Sequence, residues 1–396
     1  MNGPQPELVV WGTYDLGKPR VRIILRGLHE SGVRLTEIHR NVWEGIEDKS
    51  QLRGFATRLR RLLRWLFSYP ALIFSFLRAP RHPNVFIPYL GHMDVLVLWP
   101  FARLRGCRIH WDVFIPLYNT LVEDRRLLSR RNPMAWVVYG FEALAAHAAD
   151  RVILDTQSHA DYFARCYRLP RNKVTSLLVG VEQERFPPLP PLPHRPPGTP
   201  LSVLFYGQFI PLHGIRTIVR AAAMVDDGSV HWVLIGKGQD EQAIRDQLAL
   251  IPVTHLEWHP WVPYAELIEW IERADVCLGI FGDSEKSARV IPNKVFQVIS
   301  AGRPLITRDS PAIRELLRPD MPGVSLVPPA DADALAAAVR AFAKGQQKLY
   351  GVHLHANIRP CITPRAIGNH LAEITCDPNQ TDRQTNHPTT ETGDRP

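Results

Sequence analysis

The chain has 396 residues, of which 45% are hydrophobic and 22% charged, and its formal net charge is +8. These totals predict a globular protein of two or three domains, and the charge favours an anionic partner such as a nucleotide, a membrane surface or nucleic acid. Five scattered cysteines without a CxxC pair argue against a zinc site or a disulfide framework and are typical of a reducing compartment. We expect no signal peptide, because the N-terminus lacks a basic region followed by a long apolar core, and no membrane span, because no apolar run reaches about 18 residues.

Short apolar runs alternate with helical patterns along the N-terminal half. The predicted elements are a strand at 7–12, a helix at 21–32, strands at 34–40 and 84–90, a helix at 95–106, a strand at 108–114, a helix at 134–149, a strand at 150–156, a helix at 158–169 and a strand at 173–181. Apolar strands alternating with amphipathic helices are typical of a parallel sheet covered on both faces. We therefore predict a Rossmann-like domain over residues 1–186.

A basic segment interrupts this alternation. Residues 52–81 contain seven arginines and no acidic residue, and the apolar run that follows the first arginines is only 13 residues long. Such a pattern is typical of an interfacial helix on anionic lipid, and it predicts membrane binding through residues 52–78. The leucines on one helical face are Leu59, Leu62, Leu63 and Leu66, and the arginines around them are Arg58, Arg60, Arg61 and Arg64. The alternatives are an ordinary domain helix with a solvated basic face and, less favoured because no nucleic-acid motif accompanies the charge, a nucleic-acid site.

Residues 187–200 are rich in proline, which stiffens a chain and keeps it out of sheets, so we predict an interdomain linker there. Alternation then resumes, which predicts a second Rossmann-like domain over 201–345. The predicted elements are strands at 201–209, 230–238, 255–262, 275–281, 304–307 and 324–329, and helices at 215–225, 240–251, 265–274, 293–300 and 332–345. Residues 346–376 are predicted as a helical segment that could return to the first domain, and 377–396 as a disordered tail.

The segment "RVIPNKVFQVISAGRPLIT" places Lys294 in the first turn of a helix that Pro292 opens and Gly302 closes. A cation in that turn opposes the helix dipole. It is favourable if an anion such as a phosphate also lies at the helix end, where backbone amides favour it. The alternative is a solvated surface lysine.

Four motifs, in this order, resemble glycosyltransferase family 4: "LLVGVEQERFPP", "FYGQFIPLHGIRTIVRAA", "VLIGKGQDEQAI" and "IPNKVFQVISAGRPLIT". The resemblance covers nearly all of residues 1–345. It implies an α/β protein of the GT-B fold, with two Rossmann-like doubly wound domains facing across a cleft. It also implies transfer of a sugar from a UDP- or GDP-sugar, with retention of the anomeric configuration, and no metal or cofactor.

The sequence departs from this family at four positions. The family commonly has an arginine and a lysine on the donor diphosphate where this chain has Gln208 and His213. Its two glutamates, which have seven residues between them, correspond here to Arg289 and Gln297. We therefore expect Arg289 and Lys294 to replace the missing cations, and Gln297 to bind the ribose hydroxyls.

The resemblance assigns further residues to the site. On the donor side we expect Gly12, Gly207, Gly236, Trp261, Val262, Glu285 and Asn293, with Asp283 an alternative to Glu285. On the acceptor side we expect Tyr14, Lys18 and Arg20, and near the anomeric carbon Asp112, with His110 two residues before it. The alternatives are a polar loop for Glu285, a core role for Trp261 and a strand-end cap for Asp112.

The basic segment and the resemblance together predict a peripheral enzyme on the cytoplasmic face of a membrane, acting on a glycan or lipid-linked acceptor in cell-surface polysaccharide assembly. Two other classes stay open from the sequence. One is a sugar-nucleotide epimerase or phosphorylase of the same fold. The other is a non-catalytic scaffold, which Gln208, His213 and Gln297 would permit.

Overall fold

The structure, a computed structural model, describes residues 6–42, 55–125, 127–196 and 198–376. It contains two parallel six-stranded sheets, each flanked by helices. The predicted fold class, an α/β protein of two Rossmann-like domains with the GT-B architecture, is confirmed. The proposed tail at 377–396 lies outside the described residues, as do residues 52–54 of the basic segment.

The first sheet has the strand order β2-β1-β3-β4-β5-β6. Its strands are β1 (Glu7–Gly12), β2 (Arg34–His39), β3 (Asn84–Ile87), β4 (Arg108–Asp112), β5 (Arg151–Leu154) and β6 (Val174–Ser176). The helices are α1 (Pro19–Glu30), α2 (Phe55–Arg78), α3 (His92–Arg105), α4 (Pro133–Ala148) and α5 (Gln157–Tyr167), with one π-helical segment at Asn119–Asp124. The central strands β1, β3, β4 and β5 are mainly buried, as a helix-covered parallel sheet requires, whereas the edge strand β2 is polar and partly exposed.

The second sheet has the order β12-β11-β10-β7-β8-β9. Its strands are β7 (Leu201–Tyr206), β8 (Val230–Ile235), β9 (Leu256–His259), β10 (Val276–Leu278), β11 (Leu305–Arg308) and β12 (Val324–Val327). The helices are α6 (Ile215–Met224), α7 (Glu241–Leu250), α8 (Leu267–Arg273), α9 (Asn293–Ala301) and α10 (Ala332–Gly345). The strand order runs outward in opposite directions from β7 and its parallel neighbour β10. Such a switch point leaves a crevice at the carboxyl ends of the two strands, where open α/β sheets bind ligands.

The last helix, α11 (Pro364–Cys376), lies against α1 of the first domain. The two helices touch through Gly27 and Gly368: a Cβ at Gly27 would lie 2.0 Å from the carbonyl oxygen of Pro364. The leucines and isoleucines of α11, among them Ile367 and Leu371, complete one face of the first domain's core. The end of the described chain is therefore part of the fold of the first domain.

Helix α2 is one continuous helix through Pro70, where the sequence had indicated a basic helix followed by a separate apolar run. Tyr69, Leu72 and Phe76 are buried in the core. The opposite side is apolar and exposed, and its residues are Leu62, Leu63, Leu66, Phe67, Phe74 and Leu77. In the described part of the chain no helix combines the length and the hydropathy needed to cross a bilayer.

Candidate active site

The loops that follow β7 and β8 meet at the mouth of the cleft. The Gly207 N–H donates to the Ile235 carbonyl at 2.9 Å, and the backbones are so close that a Cβ at Gly236 would lie 1.9 Å from the Gly207 oxygen. Gly236 has a φ of +151°, a region in which only glycine is at ease. Gly207 and Gly236, both predicted site residues, therefore allow the backbones of the two loops to come close together at the cleft.

Lys294 lies in the first turn of α9 and is only 5% exposed. Its Nζ lies 3.4 Å from the Gly279 carbonyl oxygen and 3.7 Å from the centroid of the Phe205 ring. Among the described residues no carboxylate forms an ion pair with it. Burial lowers the pKa of Lys294 well below its usual range, because an isolated ammonium is poorly solvated there. The alternative of a solvated surface lysine is therefore excluded.

His213 lies beside Lys294, against Gly207. A Cβ at Gly207 would lie 2.9 Å from Lys294 Nζ and 3.1 Å from His213 Cε1, so glycine leaves room for both side chains. The Nδ1 atom of His213 contacts the Gln208 carbonyl. Burial first, and the Lys294 charge second, hold the pKa of His213 well below its usual range. A neutral ring that donates from Nδ1 leaves Nε2 as an acceptor.

Arg289 faces the first domain. Its guanidinium lies 3.6 Å from the Tyr162 ring centroid and 2.6 Å from a Glu285 carboxylate oxygen, while its carbonyl accepts a hydrogen bond from Thr156. Its buried Nη1 has no hydrogen-bond partner among the described residues. Arg289 and Lys294 thus have different partners, and Glu285 is engaged with Arg289 at the surface.

Gln297 is part of an internal hydrogen-bond chain. Its Oε1 accepts from the Tyr206 hydroxyl at 2.9 Å and its Nε2 donates to the Tyr264 hydroxyl at 3.2 Å. Tyr264 in turn donates to Glu182, which pairs with Arg22 of α1. Both ends of the Gln297 amide are therefore occupied by tyrosines, where the sequence had predicted ribose hydroxyls.

The remaining donor-side residues lie around these loops. Trp261 is 61% exposed, Val262 and Asn293 are half-buried, and Trp258 donates from Nε1 to the Gly236 carbonyl at 2.8 Å. The exposure of Trp261 contradicts a core role for this side chain and leaves its ring accessible to a ligand. Trp258 was not predicted from the sequence, because an indole in an apolar strand does not show which carbonyl it will reach.

Asp112 and Arg20 form an ion pair in the interior of the first domain. The Nη2 and Nε atoms of Arg20 donate to the carboxylate over 2.7–3.0 Å, and both side chains have no exposed surface. Nη1 donates to the Leu177 carbonyl at 3.0 Å. Burial raises the pKa of Asp112, against the opposing effect of the Arg20 charge. Because both side chains are fully buried and paired with each other, the structure favours a structural role for this pair, and the acceptor role of Arg20 and the anomeric role of Asp112 stay predictions.

The other predicted residues of the first domain lie around the loop after β1. Tyr14 is buried, donates to Glu37 at 2.9 Å and stacks on His39. A Cβ at Gly12 would lie 2.3 Å from an Asp94 oxygen, so this glycine allows the loop to approach α3. Lys18, half-buried and 3.9 Å from Asp15, is the residue of the predicted acceptor group whose charge reaches the surface.

A small cavity opens beside this loop. Its lining includes Thr13, Asp15, Tyr89, Asp94 and, from α2, Trp65. The Trp65 indole donates to the Thr13 hydroxyl at 2.9 Å, which ties α2 to the loop. Helix α2 therefore contributes both to this cavity and to the exposed apolar surface.

Three cations that the sequence did not single out lie where the domains meet or beside the second-domain loops. Lys286 Nζ donates to Thr120 Oγ1 at 2.8 Å and lies 3.4 Å from Asp124, both in the first domain. Arg308 contacts the Gly282 carbonyl and the Ser287 hydroxyl. Arg125 of the first domain donates from Nη2 to the side-chain oxygen of Gln208 at 3.3 Å.

Residues 200–344 match the protein family described as Glycosyl transferases group 1. Among solved structures, sucrose-phosphate synthase from Thermosynechococcus elongatus superposes with a TM-score of 0.65 at 16% identity, over 93% of this chain and 98% of that one. HepE from Anabaena, in complex with UDP and glucose, gives a TM-score of 0.63 at 9% identity, over 93% and 99%.

The lipopolysaccharide outer core galactosyltransferase WaaB gives a TM-score of 0.56 at 12% identity, over 93% of this chain and 98% of that one. No curated protein sequence gives a significant match. The family match over the second domain, together with a fold shared along most of the chain, indicates that this protein is a glycosyltransferase.

Proposed function

We propose that the protein transfers a sugar from a UDP-sugar, with a GDP-sugar as the alternative donor, and that Lys294 stabilises the departing diphosphate. The observation that carries this is a buried ammonium with no carboxylate partner in the described part of the chain, at the carboxyl ends of the strands. An anion supplied by the substrate would complete the site. HepE, which shares this fold, has been solved with UDP and with UDP-glucose, and this supports uridine as the base.

The chemistry follows from the charge that develops. Breaking the bond between the anomeric carbon and the phosphate oxygen leaves an electron pair on the diphosphate. Fixed cations in a closed cleft stabilise that charge, and each such group is typically worth a few kcal/mol of barrier. Retention of the anomeric configuration is part of this proposal and is supported by the resemblance to glycosyltransferase family 4.

We propose that the chain's own cations, rather than a divalent metal, meet the diphosphate charge. Within the described ranges no group of three or more His, Cys, Asp or Glu side chains is placed to hold a metal ion. Lys294, with Arg289 contributing its unpartnered Nη1, supplies positive charge to the second-domain side of the cleft. The epimerase, phosphorylase and scaffold classes have no observation of their own in this structure.

For the acceptor we propose a lipid-linked glycan presented at an anionic membrane on the cytoplasmic face. The exposed apolar side of α2 is flanked by arginines that include Arg60 and Arg64. Helix α2 lies against α3, and α3 against α4. The neighbouring helices extend the surface with Trp99, Leu104, Met134, Trp136, Val137 and Leu144. Such an apolar surface edged by arginines matches the interfacial region of a bilayer.

The loop after β1, which Trp65 of α2 contacts through the Thr13 hydroxyl, is where we expect the acceptor head group to approach. A lipid-anchored acceptor would then approach the cleft without leaving the membrane. Lys18, at the loop between the cavity and α1, is available to an acidic or phosphorylated acceptor.

The experiment is a screen of UDP- and GDP-sugars for acceptor-independent hydrolysis, run with EDTA and followed by NMR. We expect one donor to be hydrolysed in EDTA, with the released sugar first appearing in the donor's own anomeric form. Turnover that stops on chelation and returns with manganese would contradict metal independence. Binding of neither UDP nor GDP would contradict the proposed function itself.

A further inference from the structure

The second-domain loop that carries Gln208 and His213 lacks the two cations usual in the family, yet a guanidinium lies beside it. Arg125, from the first domain, places Nη2 3.3 Å from the side-chain oxygen of Gln208. It follows the π-helical segment Asn119–Asp124. The arginine therefore crosses the cleft to reach the loop after β7.

The guanidinium of Arg125 has hydrogen-bond donors that other described residues do not use. No carboxylate in the described ranges forms an ion pair with it, and its buried Nε has no hydrogen-bond partner there. Its contact to Gln208 is between a charged group and a neutral amide. An arginine that is partly buried without an anionic partner is poorly compensated, and a diphosphate matches its planar fork.

The segment that presents Arg125 is anchored at both ends. At the start, the carboxylate of Glu142 accepts the N–H groups of Leu117 and Tyr118, at 2.7 and 3.2 Å. At the end, Asp124 lies 3.4 Å from Lys286 of the second domain. The Arg125 carbonyl itself accepts from Gln239 at 3.1 Å. These bonds hold the arginine beside the second domain.

From this geometry we infer that Arg125 binds the donor diphosphate opposite Lys294 and replaces, from the other domain, the cation that the loop lacks at Gln208. The inference rests on the proposed function. It makes tight binding of the diphosphate depend on closure of the cleft, since one cation comes from each domain. We expect the nucleoside part of the donor to make no contact with Arg125.

The test compares UDP with uridine, by calorimetry on the full chain, and GDP with guanosine if guanine is the base. Arg125→Gln should weaken UDP binding about 10- to 100-fold and leave uridine binding unchanged, because charged hydrogen bonds to the diphosphate are lost. The UDP affinity of Arg125→Lys should lie between those of the wild type and Arg125→Gln. The matched control is Arg130→Gln, a more exposed arginine near the same segment that pairs with Glu123.

The decisive variant is the exchange Arg125→Gln with Gln208→Arg, which returns a cation to the loop. We expect it to recover most of the UDP affinity and most of the kcat lost in Arg125→Gln. If wild type binds UDP and Arg125→Gln binds it equally well with unchanged kcat, the inference is wrong and the proposed function stands. If wild type binds neither UDP nor GDP, the proposed function fails and the inference with it.

Discussion

The carboxylate of Glu315, in the second domain, accepts a 2.8 Å hydrogen bond from the backbone N–H of Ser158, at the start of α5 in the first domain. It also accepts the N–H of Gln157 and the Ser158 hydroxyl. An acidic side chain at a helix N-terminus is favourable because of the free amides and the dipole there. Here that interaction joins the two domains.

We expect Glu315→Ala to disfavour closure by about 1 kcal/mol, the usual worth of an N-terminal cap, and to lower kcat/KM about fivefold. Glu315→Gln should lose less, since its amide oxygen still accepts one N–H. Small-angle scattering with UDP present should show a larger radius of gyration for the alanine variant. Wild-type scattering and kinetics for Glu315→Ala would mean that this contact does not govern closure.

Replacing Lys294 should affect the chemical step. Lys294→Ala removes the buried ammonium, and we expect a loss of about 2–4 kcal/mol of transition-state stabilisation, or roughly 30- to 1000-fold in kcat. The control is Lys344→Ala, an exposed lysine of α10. Steady-state kinetics on the hydrolysed donor measure both. A folded Lys294→Ala protein with the wild-type kcat would refute the role assigned to Lys294.

Donor binding should take up protons. The pKa of Lys294 is lowered in the free protein, and a bound diphosphate favours the charged form and raises it, so the complex holds more protons. Affinity should therefore fall as the pH rises through the lowered pKa. Calorimetry in buffers of different ionisation enthalpy, at about pH 8, avoids titration of the phosphate itself, whose second pKa is about 6.

Lys294→Arg, whose side chain stays charged in the free protein, should lower that proton uptake. The pKa of His213 is lowered as well, so His213→Gln measures how much of the uptake belongs to the histidine. The same uptake in Lys294→Arg as in wild type would assign the proton to another group.

Membrane binding should depend on the apolar side of α2. Phe67 is 75% exposed, and Phe67→Ser removes a side chain whose burial in lipid is worth about 2 kcal/mol, so partition onto phosphatidylglycerol vesicles should drop about tenfold or more. The matched control is Leu250→Ser, an exposed apolar side chain on α7 of the second domain. Co-sedimentation at moderate salt measures both. If Phe67→Ser and Leu250→Ser reduced vesicle binding equally, or if neither reduced it, the proposed membrane surface would be contradicted.

The Arg20–Asp112 pair should contribute to folding and not to chemistry. Asp112→Ala leaves a buried guanidinium without its partner, and we expect it to lower the free energy of unfolding by about 3–5 kcal/mol. The double variant Arg20→Met with Asp112→Leu should be more stable than Asp112→Ala, because no charge is then left uncompensated. Denaturant titration tests this. An Asp112→Ala protein with the wild-type stability and a lowered kcat would contradict this prediction and support the predicted role of Asp112 near the anomeric carbon.

The sequence predicted the parts of the fold that depend on local pattern. The strands of both sheets follow from their apolar runs, and helix α10 begins and ends where its periodicity indicated. The position of Lys294 also followed from local features, since Pro292 and Gly302 define the helix that carries it.

What the sequence did not predict depends on contacts between distant residues. Arg20 and Asp112 are 92 positions apart, so their pairing has no local sign. Arg125 follows a π-helical segment without periodicity, and its position depends on Glu142 and Lys286. Helix α2 continues through Pro70, although proline normally indicates a helix boundary. Tyr69 and Leu72, on either side of this proline, pack in the core, and such tertiary contacts cannot be read from the local sequence.

The packing of α11 on α1 has a consequence for synthesis of the protein. Residues 364–376 fill a face of the domain that starts with β1, so that domain lacks part of its core until they have left the ribosome. The strands and helices of the second domain are contiguous in the chain, and the last side chains of its core, Ile358 and Ile362, precede α11. Its sheet can therefore form while the earlier one still exposes an apolar face, and the domain that starts first is completed last.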